Sequence, residues 1–213
     1  MAATPTVIED YVKVIYAHTE WQDVAITTTG LAARLGLAAS SVTEMVKKLV
    51  RQGLVVHEPY GAIELTAEGT ELALQMVRRH RLIETWLVEQ QGYRWDEVHE
   101  EAEILEHSMS DRLVDSIDDQ LGNPTRDPHG DPIPSRDGTL NRPDAVVLEQ
   151  LAVGSSGTVA RISDRDPLLL RYLESEGVRL DVILTRTIDA VAMGDVPIAP
   201  EALQAVWVIP FSG

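Results

Sequence analysis

The chain has 213 residues, 44% of them hydrophobic, which suffices for one large domain or two to three small domains with packed cores. No apolar run reaches the roughly 18 residues of a membrane helix, and the first residues lack the pattern of a secretion signal. Cysteine is absent, which excludes disulfides and thiolate metal sites, so we expect a soluble cytoplasmic protein.

The net charge of −16 is distributed unevenly. Residues 1–66 contain seven acids and five bases, a net charge of −2, and the remainder carries −14. Because negative surfaces repel DNA phosphates, the first part of the chain is where DNA binding is feasible. The acidic remainder is suited to binding divalent cations.

Three helices are predicted at the start of the chain. Apolar residues recur at helical spacing within residues 6–19. The threonines at 27–29 are N-cap candidates for a short helix that Gly36 ends. Residues 39–41 (Ala-Ser-Ser) are cap candidates for the next helix, from Val42 to Gln52. Two short helices around a glycine form a helix-turn-helix whose second helix reads DNA.

A β-hairpin is predicted directly after this reading helix. Residues 54–57 and 62–66 are strand-like and are joined by a Pro59-Tyr60-Gly61 turn. A hairpin in this place is a wing, which predicts a winged helix-turn-helix in residues 1–66. Hydroxyls and lysines of the reading helix would contact phosphates, and Glu44 could accept from cytosine. The candidate DNA contacts are Ser40, Ser41, Thr43, Glu44, Lys47 and Lys48.

The rest of the chain changes from helical to β-rich. Residues 67–122 have helical patterns, interrupted near Gly92 and again before Ser110. Residues 123–144 are rich in proline and polar turn residues and predict an ordered turn region or tether. Beyond it, strands are predicted at 157–162, 181–185 and 205–209, with a short helix at 168–176. The fold class is therefore α+β, mostly helical, with a small β-rich module at the end.

Histidines and carboxylates gather on the predicted helices. His99, Glu103, Glu106 and His107 share one face of a helix, and their like charges repel unless a cation lies between them. His80 and Glu84 are four residues apart on the preceding helix, an arrangement equally consistent with a surface pair. Asp10 lies on the first helix. Oxygen and imidazole ligands without sulfur favour Mn²⁺, with Fe²⁺, Co²⁺ and Zn²⁺ possible.

These residues resemble the diphtheria toxin repressor family of metal-dependent regulators, and within it the manganese transport regulators. Residues 150–213 resemble the SH3-like domain that longer members append. The resemblance implies a metal-binding and dimerisation domain at 67–136 and a linker at 137–149. The matching stretches are Glu9-Asp10-Tyr11, Ser40-Ser41-Val42-Thr43, residues 79–84, residues 98–103, residues 106–111 and residues 129–134.

The resemblance also implies two metal positions. One comprises Asp10, Glu103, Glu106 and His107; the iron-type branch has methionine and cysteine in place of Asp10 and Glu103, so these hard ligands indicate manganese. The other comprises His80, Glu84 and His99, with Asp164 and Asp166 of the appended domain as further candidates. Short manganese regulators carry a glutamate where this chain has Lys13, so we expect two separate sites rather than a close two-metal cluster.

The sequence therefore predicts a Mn²⁺-dependent repressor that binds double-stranded operator DNA as a homodimer and controls metal homeostasis genes. The alternatives are an Fe²⁺-responsive regulator of the same family and a winged-helix regulator that senses an organic ligand. An enzyme is not expected, because the His-Glu-x-x-His motif is absent and no nucleophile has a base beside it.

Overall fold

A computed structural model describes residues 6–22, 24–58, 61–187, 191–194 and 196–211. The chain forms two compact units. The first comprises residues 1–79 and 134–139, and the second comprises residues 80–133 and 140–213. The division into domains at 1–66, 67–136, 137–149 and 150–213 stays a prediction.

The first unit begins with three helices packed around one apolar core. The Thr27 side chain accepts from the backbone N–H of Gly30 at 3.1 Å, which caps the second helix as predicted. Gly36 ends that helix in the left-handed conformation, with φ of 65°. The core residues include Ile8, Leu31 and Leu49, all at most 1% exposed. The helices are α1 (Thr6–Thr19), α2 (Thr28–Leu35) and α3 (Ala39–Arg51).

Helix α3 begins earlier than predicted. Its N-cap is Ala38, whose backbone is extended and whose side chain makes no cap bond, so the prediction of a cap at residues 39–41 is wrong. The left-handed Gly36 and the bond from Leu37 N–H to the Ala32 carbonyl turn the chain within three residues. The next helix therefore starts at once, and Ser40 and Ser41 lie exposed in its first turn.

The wing follows α3. Strands β1 (Val55–His57) and β2 (Ile63–Leu65) pair antiparallel, with Val55 opposite Leu65. Both are shorter than predicted, and Pro59 and Tyr60 of the predicted turn lie outside the described residues.

Three helices follow the wing. Gly92 lies directly beyond the long first helix with φ of 76°, and Ser110 caps the last by accepting from Leu113 N–H. Within the second unit, Leu82, Val114 and Ile117 form one buried cluster, and Ile83, Leu87 and Val98 belong to another. No helix in the described part of the chain is both long and apolar enough to span a bilayer. The helices are α4 (Ala67–Gln91), which runs from the first unit into the second, α5 (Val98–Glu106) and α6 (Asp111–Gln120).

The chain ends in an antiparallel six-stranded sheet of order β3-β8-β4-β5-β6-β7. Its buried core includes Leu148, Val159, Leu173 and Val208. Two short helices pack with it, α7 (Pro167–Ser175) and α8 (Ala202–Ala205). The strands are β3 (Val146–Val147), β4 (Ser156–Ile162), β5 (Ile183–Arg186), β6 (Val191–Met193), β7 (Val196–Ile198) and β8 (Val206–Pro210).

Residues 125–133 form a loop that is fixed between α4 and the sheet. Arg161 of β4 donates to Asp131 at 2.7 Å, and Arg81 of α4 donates to the Pro132 carbonyl at 2.6 Å. All these residues are buried. Gly130 has φ of 93°, and a Cβ there would clash with the carbonyl oxygen of Ala160. The loop therefore has one position relative to β4.

Candidate functional site

His80 lies at the centre of a buried polar cluster in the second unit. Helical spacing on α4 places Glu84 one turn further along the same face, with its Oε1 3.0 Å from His80 Nε2. On the other side of the ring, His80 Nδ1 lies 2.7 Å from Oε2 of Glu106 in α5. Glu84 and Glu106 are 1% and 0% exposed. Burying two carboxylates in this way is costly unless cations or donors surround them.

His99 extends this cluster towards solvent. Its Nδ1 lies 3.2 Å from Glu84 Oε1 and 3.5 Å from Oδ2 of Asp164, which follows β4. Its Nε2 lies 3.7 Å from Oε1 of Glu103. The sheet domain therefore places a carboxylate against the helical cluster.

The structure brings most of the predicted metal ligands together. His107 Nε2 lies 3.3 Å from Glu106 Oε1, which continues the cluster along the end of α5. Asp166 instead caps α7, where it accepts from the backbone N–H groups of Leu168 and Leu169. Asp10 lies on α1 in the first unit. The predicted residues that meet in the second unit are His80, Glu84, His99, Glu103, Glu106, His107 and Asp164.

Asp127 and His129 join the cluster and were not predicted as ligands. Both are buried, and together with Glu84 they could hold an ion, since one ligand atom from each lies within 4.8 Å of the others. His129 Nδ1 lies 3.9 Å from Glu84 Oε2 and has no hydrogen-bond partner among the described residues. The signal in the sequence was a histidine between two aspartates, Asp127 and Asp131, in a proline-rich turn.

The electrostatics of the cluster suit a cation. Burial opposes ionisation of Glu84, yet His80 and His99 hold its pKa well below the usual value. The bond to Glu84 raises the pKa of His99. Burial lowers the pKa of His129, but Asp127 and Glu84 outweigh this and raise it. Burial and the neighbouring Asp131 raise the pKa of Asp127 to about 7.

The donor set fits a divalent metal. Among the described residues of the second unit, three overlapping groups offer imidazole and carboxylate ligands only: His80 with His99 and Glu103; Glu84 with His99 and Asp164; Glu84 with Asp127 and His129. The buried His129 Nδ1 is an unused nitrogen that faces a carboxylate, which is the chemistry a metal ion completes.

The first unit contains a groove beside the reading helix. Its volume is about 850 Å³, and α2, α3 and the wing line it. Of the predicted DNA contacts, Thr43 and Lys47 line the groove; Ser40, Ser41 and Glu44 are exposed, and Lys48 is half-buried. Lys47 donates to Glu44 at 2.8 Å. The further lining side chains that sequence reasoning missed include Thr28, Thr29, Arg51 and His57.

A winged helix-turn-helix followed by a helical domain with a buried histidine and carboxylate cluster defines a metal-dependent, DNA-binding transcription regulator. Models of the iron dependent repressor match this chain in two parts. The N-terminal DNA binding domain matches residues 4–63, and the metal binding and dimerisation domain matches residues 66–135. The chain belongs to the iron-dependent repressor family, as the sequence resemblance predicted.

Similar proteins agree with this assignment. A solved manganese-dependent transcriptional repressor in complex with manganese is 48% identical, with a TM-score of 0.91 over 96% of this chain and 100% of that one. An uncharacterized HTH-type transcriptional regulator of Methanocaldococcus jannaschii is 41% identical over 52% of this chain and 88% of its own length. The iron-dependent repressor IdeR of Mycobacterium bovis is 37% identical over 59% of this chain, a match that spans 54% of that relative.

The family settles the class of function. Its members are transcriptional repressors, so the predictions of a regulator rather than an enzyme and of an α+β fold with an SH3-like module are confirmed.

Proposed function

We propose that this protein is a Mn²⁺-activated repressor that acts in the cytoplasm, binds operator DNA as a homodimer and controls metal homeostasis genes. The observation that carries the proposal is the buried cluster of histidines and carboxylates, free of sulfur, on the helices that follow the winged helix-turn-helix. Hard oxygen and imidazole donors suit manganese. The similar repressor solved with manganese supports the same metal.

Two positions would hold the metal. The first comprises Asp10, Glu103, Glu106 and His107, as the family resemblance implies. The second would be built around Glu84, which contacts His80 and His99 and faces Asp164, Asp127 and His129 from different sides. We favour Asp164 over Asp166 as the carboxylate from the sheet domain, because Asp166 already caps α7.

The first position would link DNA binding to metal availability. Asp10 belongs to the DNA-binding part of the chain, whereas Glu103, Glu106 and His107 follow in the helical domain. A ligand set shared in this way would fix each reading helix relative to the dimer axis. Two reading helices must lie about 34 Å apart to enter successive major grooves. A metal held there would supply positive charge between carboxylates that otherwise repel each other. It would favour the state that brings Asp10 to the other three ligands, because only that state offers the full set.

The test is fluorescence anisotropy on DNA from the protein's own promoter, titrated with Mn²⁺, Fe²⁺, Zn²⁺ and chelator. We expect binding that requires Mn²⁺ and is lost with chelator. Glu103→Ala should abolish it, while Glu100→Ala, an exposed neighbour on α5, should not. Unchanged operator affinity of Glu103→Ala in Mn²⁺ would contradict the model.

Other results of the same titration favour the alternatives. Activation by Fe²⁺ but not Mn²⁺ would identify an iron-responsive regulator. Tight binding that ignores chelator would favour a regulator that senses an organic ligand.

A further inference from the structure

The loop between α4 and α5 holds His129 in one orientation. His129 Nε2 lies 2.7 Å from the Trp95 carbonyl oxygen. The imidazole of His129 also stacks on the indole of Trp95, with ring centroids 5.8 Å apart. A carbonyl only accepts, so Nε2 carries the proton and donates. In the neutral ring Nδ1 therefore carries the lone pair, and it is buried and faces Glu84 Oε2 at 3.9 Å. A ligating histidine needs this arrangement, because its second nitrogen fixes the tautomer and the ring orientation.

Trp95 also belongs to the sheet domain by its packing. Its side chain packs against the core of the six-stranded sheet, although it lies in the loop between two helices of the helical domain. Trp95 therefore contributes both the carbonyl that orients His129 and the ring that packs against the sheet core. His129 is itself bonded to β4 through the Ile162 N–H, so its contact with the Trp95 carbonyl persists only while residues 94–96 stay packed on the sheet domain.

Asp96 fixes the same loop to α7. Its carboxylate is 1% exposed and accepts from Arg94 Nε at 2.9 Å and from Nε of Arg171, on α7. Arg94 also pairs with Glu174, one turn after Arg171. A buried carboxylate that loses one of its two cationic partners is destabilised, so Asp96 favours the state in which α7 is docked.

We propose that the Asp96–Arg171 ion pair is a positioning device that couples docking of the sheet domain to metal affinity at Glu84, Asp127 and His129. The proposal rests on the proposed metal-dependent function. With α7 docked, Asp96 and Trp95 hold the acceptor for His129 Nε2 in place. Coupling is reciprocal, so metal bound at His129 Nδ1 stabilises docking of the sheet domain by the same factor. This coupling through Trp95 and Asp96 is independent of Asp164, the carboxylate ligand that the sheet domain supplies directly.

The test compares Arg171→Met and Asp96→Asn with the wild-type full chain. Calorimetric titration with Mn²⁺ should show one binding event weakened about tenfold and another unchanged, since outer-shell partners of metal ligands are typically worth 10–100-fold in affinity. Arg171→Lys keeps the cation and should restore binding. Arg179→Met, which removes an exposed arginine of the same domain, is the matched control.

Two further measurements separate positioning from general loss of structure. In ¹H–¹⁵N spectra of the metal-free protein, His129 should show the Nε2-protonated tautomer in the wild type and tautomer averaging in Arg171→Met. Mn²⁺ should slow exchange of the Ile162 amide, which donates to the His129 carbonyl, and should slow it less in the variant.

The outcomes distinguish this proposal from the proposed function. Wild-type Mn²⁺ affinities and unchanged His129 ring signals in both variants would overturn the positioning role. Absence of Mn²⁺ binding by the wild type would refute the proposed function instead. The ring spectra need no metal, so in that case they still decide whether the ion pair orients His129.

Discussion

His80 and Glu106 are 26 residues apart in sequence, and their side chains meet, with Nδ1 of His80 2.7 Å from Oε2 of Glu106. A carboxylate accepts, so His80 donates from Nδ1 to Glu106, and Nε2, which lies 3.0 Å from Glu84 Oε1, is the nitrogen that would ligate a metal held by Glu84. Glu106 belongs to the first proposed metal position and His80 to the second. Each position therefore contains a residue that orients a ligand of the other.

His80→Gln should weaken both metal positions. The glutamine amide nitrogen could still donate to Glu106. Glutamine has no second ring nitrogen, however, so it could not also ligate a metal at the second position as an imidazole does. We expect a loss of tenfold to a hundredfold in Mn²⁺ affinity at each, measured by competition with a chelating fluorophore. His18→Gln, half-buried in the last turn of α1, is the control and should bind as the wild type does. Loss at a single position would show that the two do not share His80.

Metal affinity should rise with pH because of Asp127. Its pKa is raised to about 7, and only the ionised carboxylate binds a cation. The Mn²⁺ dissociation constant of the second position should fall up to tenfold per pH unit below pH 7 and level off above it. Asp127→Asn should bind more weakly and show a shallower dependence; the dependence that remains would come from His99 and His129, whose pKa values are also raised. Calorimetry in buffers of different ionisation enthalpy measures the released proton, and its absence would exclude Asp127 as the titrating group.

The same carboxyl should affect stability without metal. Its folded pKa of about 7 exceeds the unfolded value of 3.8, so between these values the folded chain binds a proton that the unfolded chain has released. The free energy of unfolding should therefore fall as pH rises from about 4 to 7, by at most about 1.4 kcal/mol per unit. Urea unfolding across this range should show a smaller slope for Asp127→Asn than for the wild type.

Gly130→Ala should destabilise docking of the loop at residues 125–133. Its φ of 93° is unfavourable for alanine, and the new Cβ would clash with the Ala160 carbonyl. We expect a loss on the order of 3 kcal/mol or more in the free energy of unfolding. Gly154→Ala is the control, because Gly154 has φ of 85° with open space around it, so it reports the backbone cost alone, about 1 kcal/mol. Equal losses would mean that the clash is relieved.

Arg51→Gln should weaken operator binding without changing sequence preference. Arg51 is exposed at the end of α3 and lines the groove beside the wing, so we expect it to contact a phosphate. Affinity should fall for all DNA sequences, and the slope of log K against log salt should decrease by about one. Arg165→Gln, in the second unit, should leave the slope unchanged. A changed base preference would instead assign Arg51 to base contacts.

The local elements could be predicted because their signals are local. Thr27 and Gly36 mark the ends of α2, and Ser110 marks the start of α6, since caps depend on a few neighbouring residues. The start of α3 was predicted wrongly because serine is favoured as an N-cap, whereas Ser40 and Ser41 lie exposed in the first turn of the helix. Only the turn at Gly36 decides between these roles.

The sequence by itself determined the order of elements, the family and the helix faces that carry His80, Glu84, His99, Glu103, Glu106 and His107, because helical periodicity places residues three and four apart on one side. Tertiary structure decided that His80 contacts Glu106, that Asp166 is a cap, and that Asp127 and His129 face Glu84. The Asp166 cap is local, whereas the other contacts join segments distant in sequence. The position of Asp127 and His129 depends on the docking of residues 125–133 between α4 and β4, which no local pattern encodes.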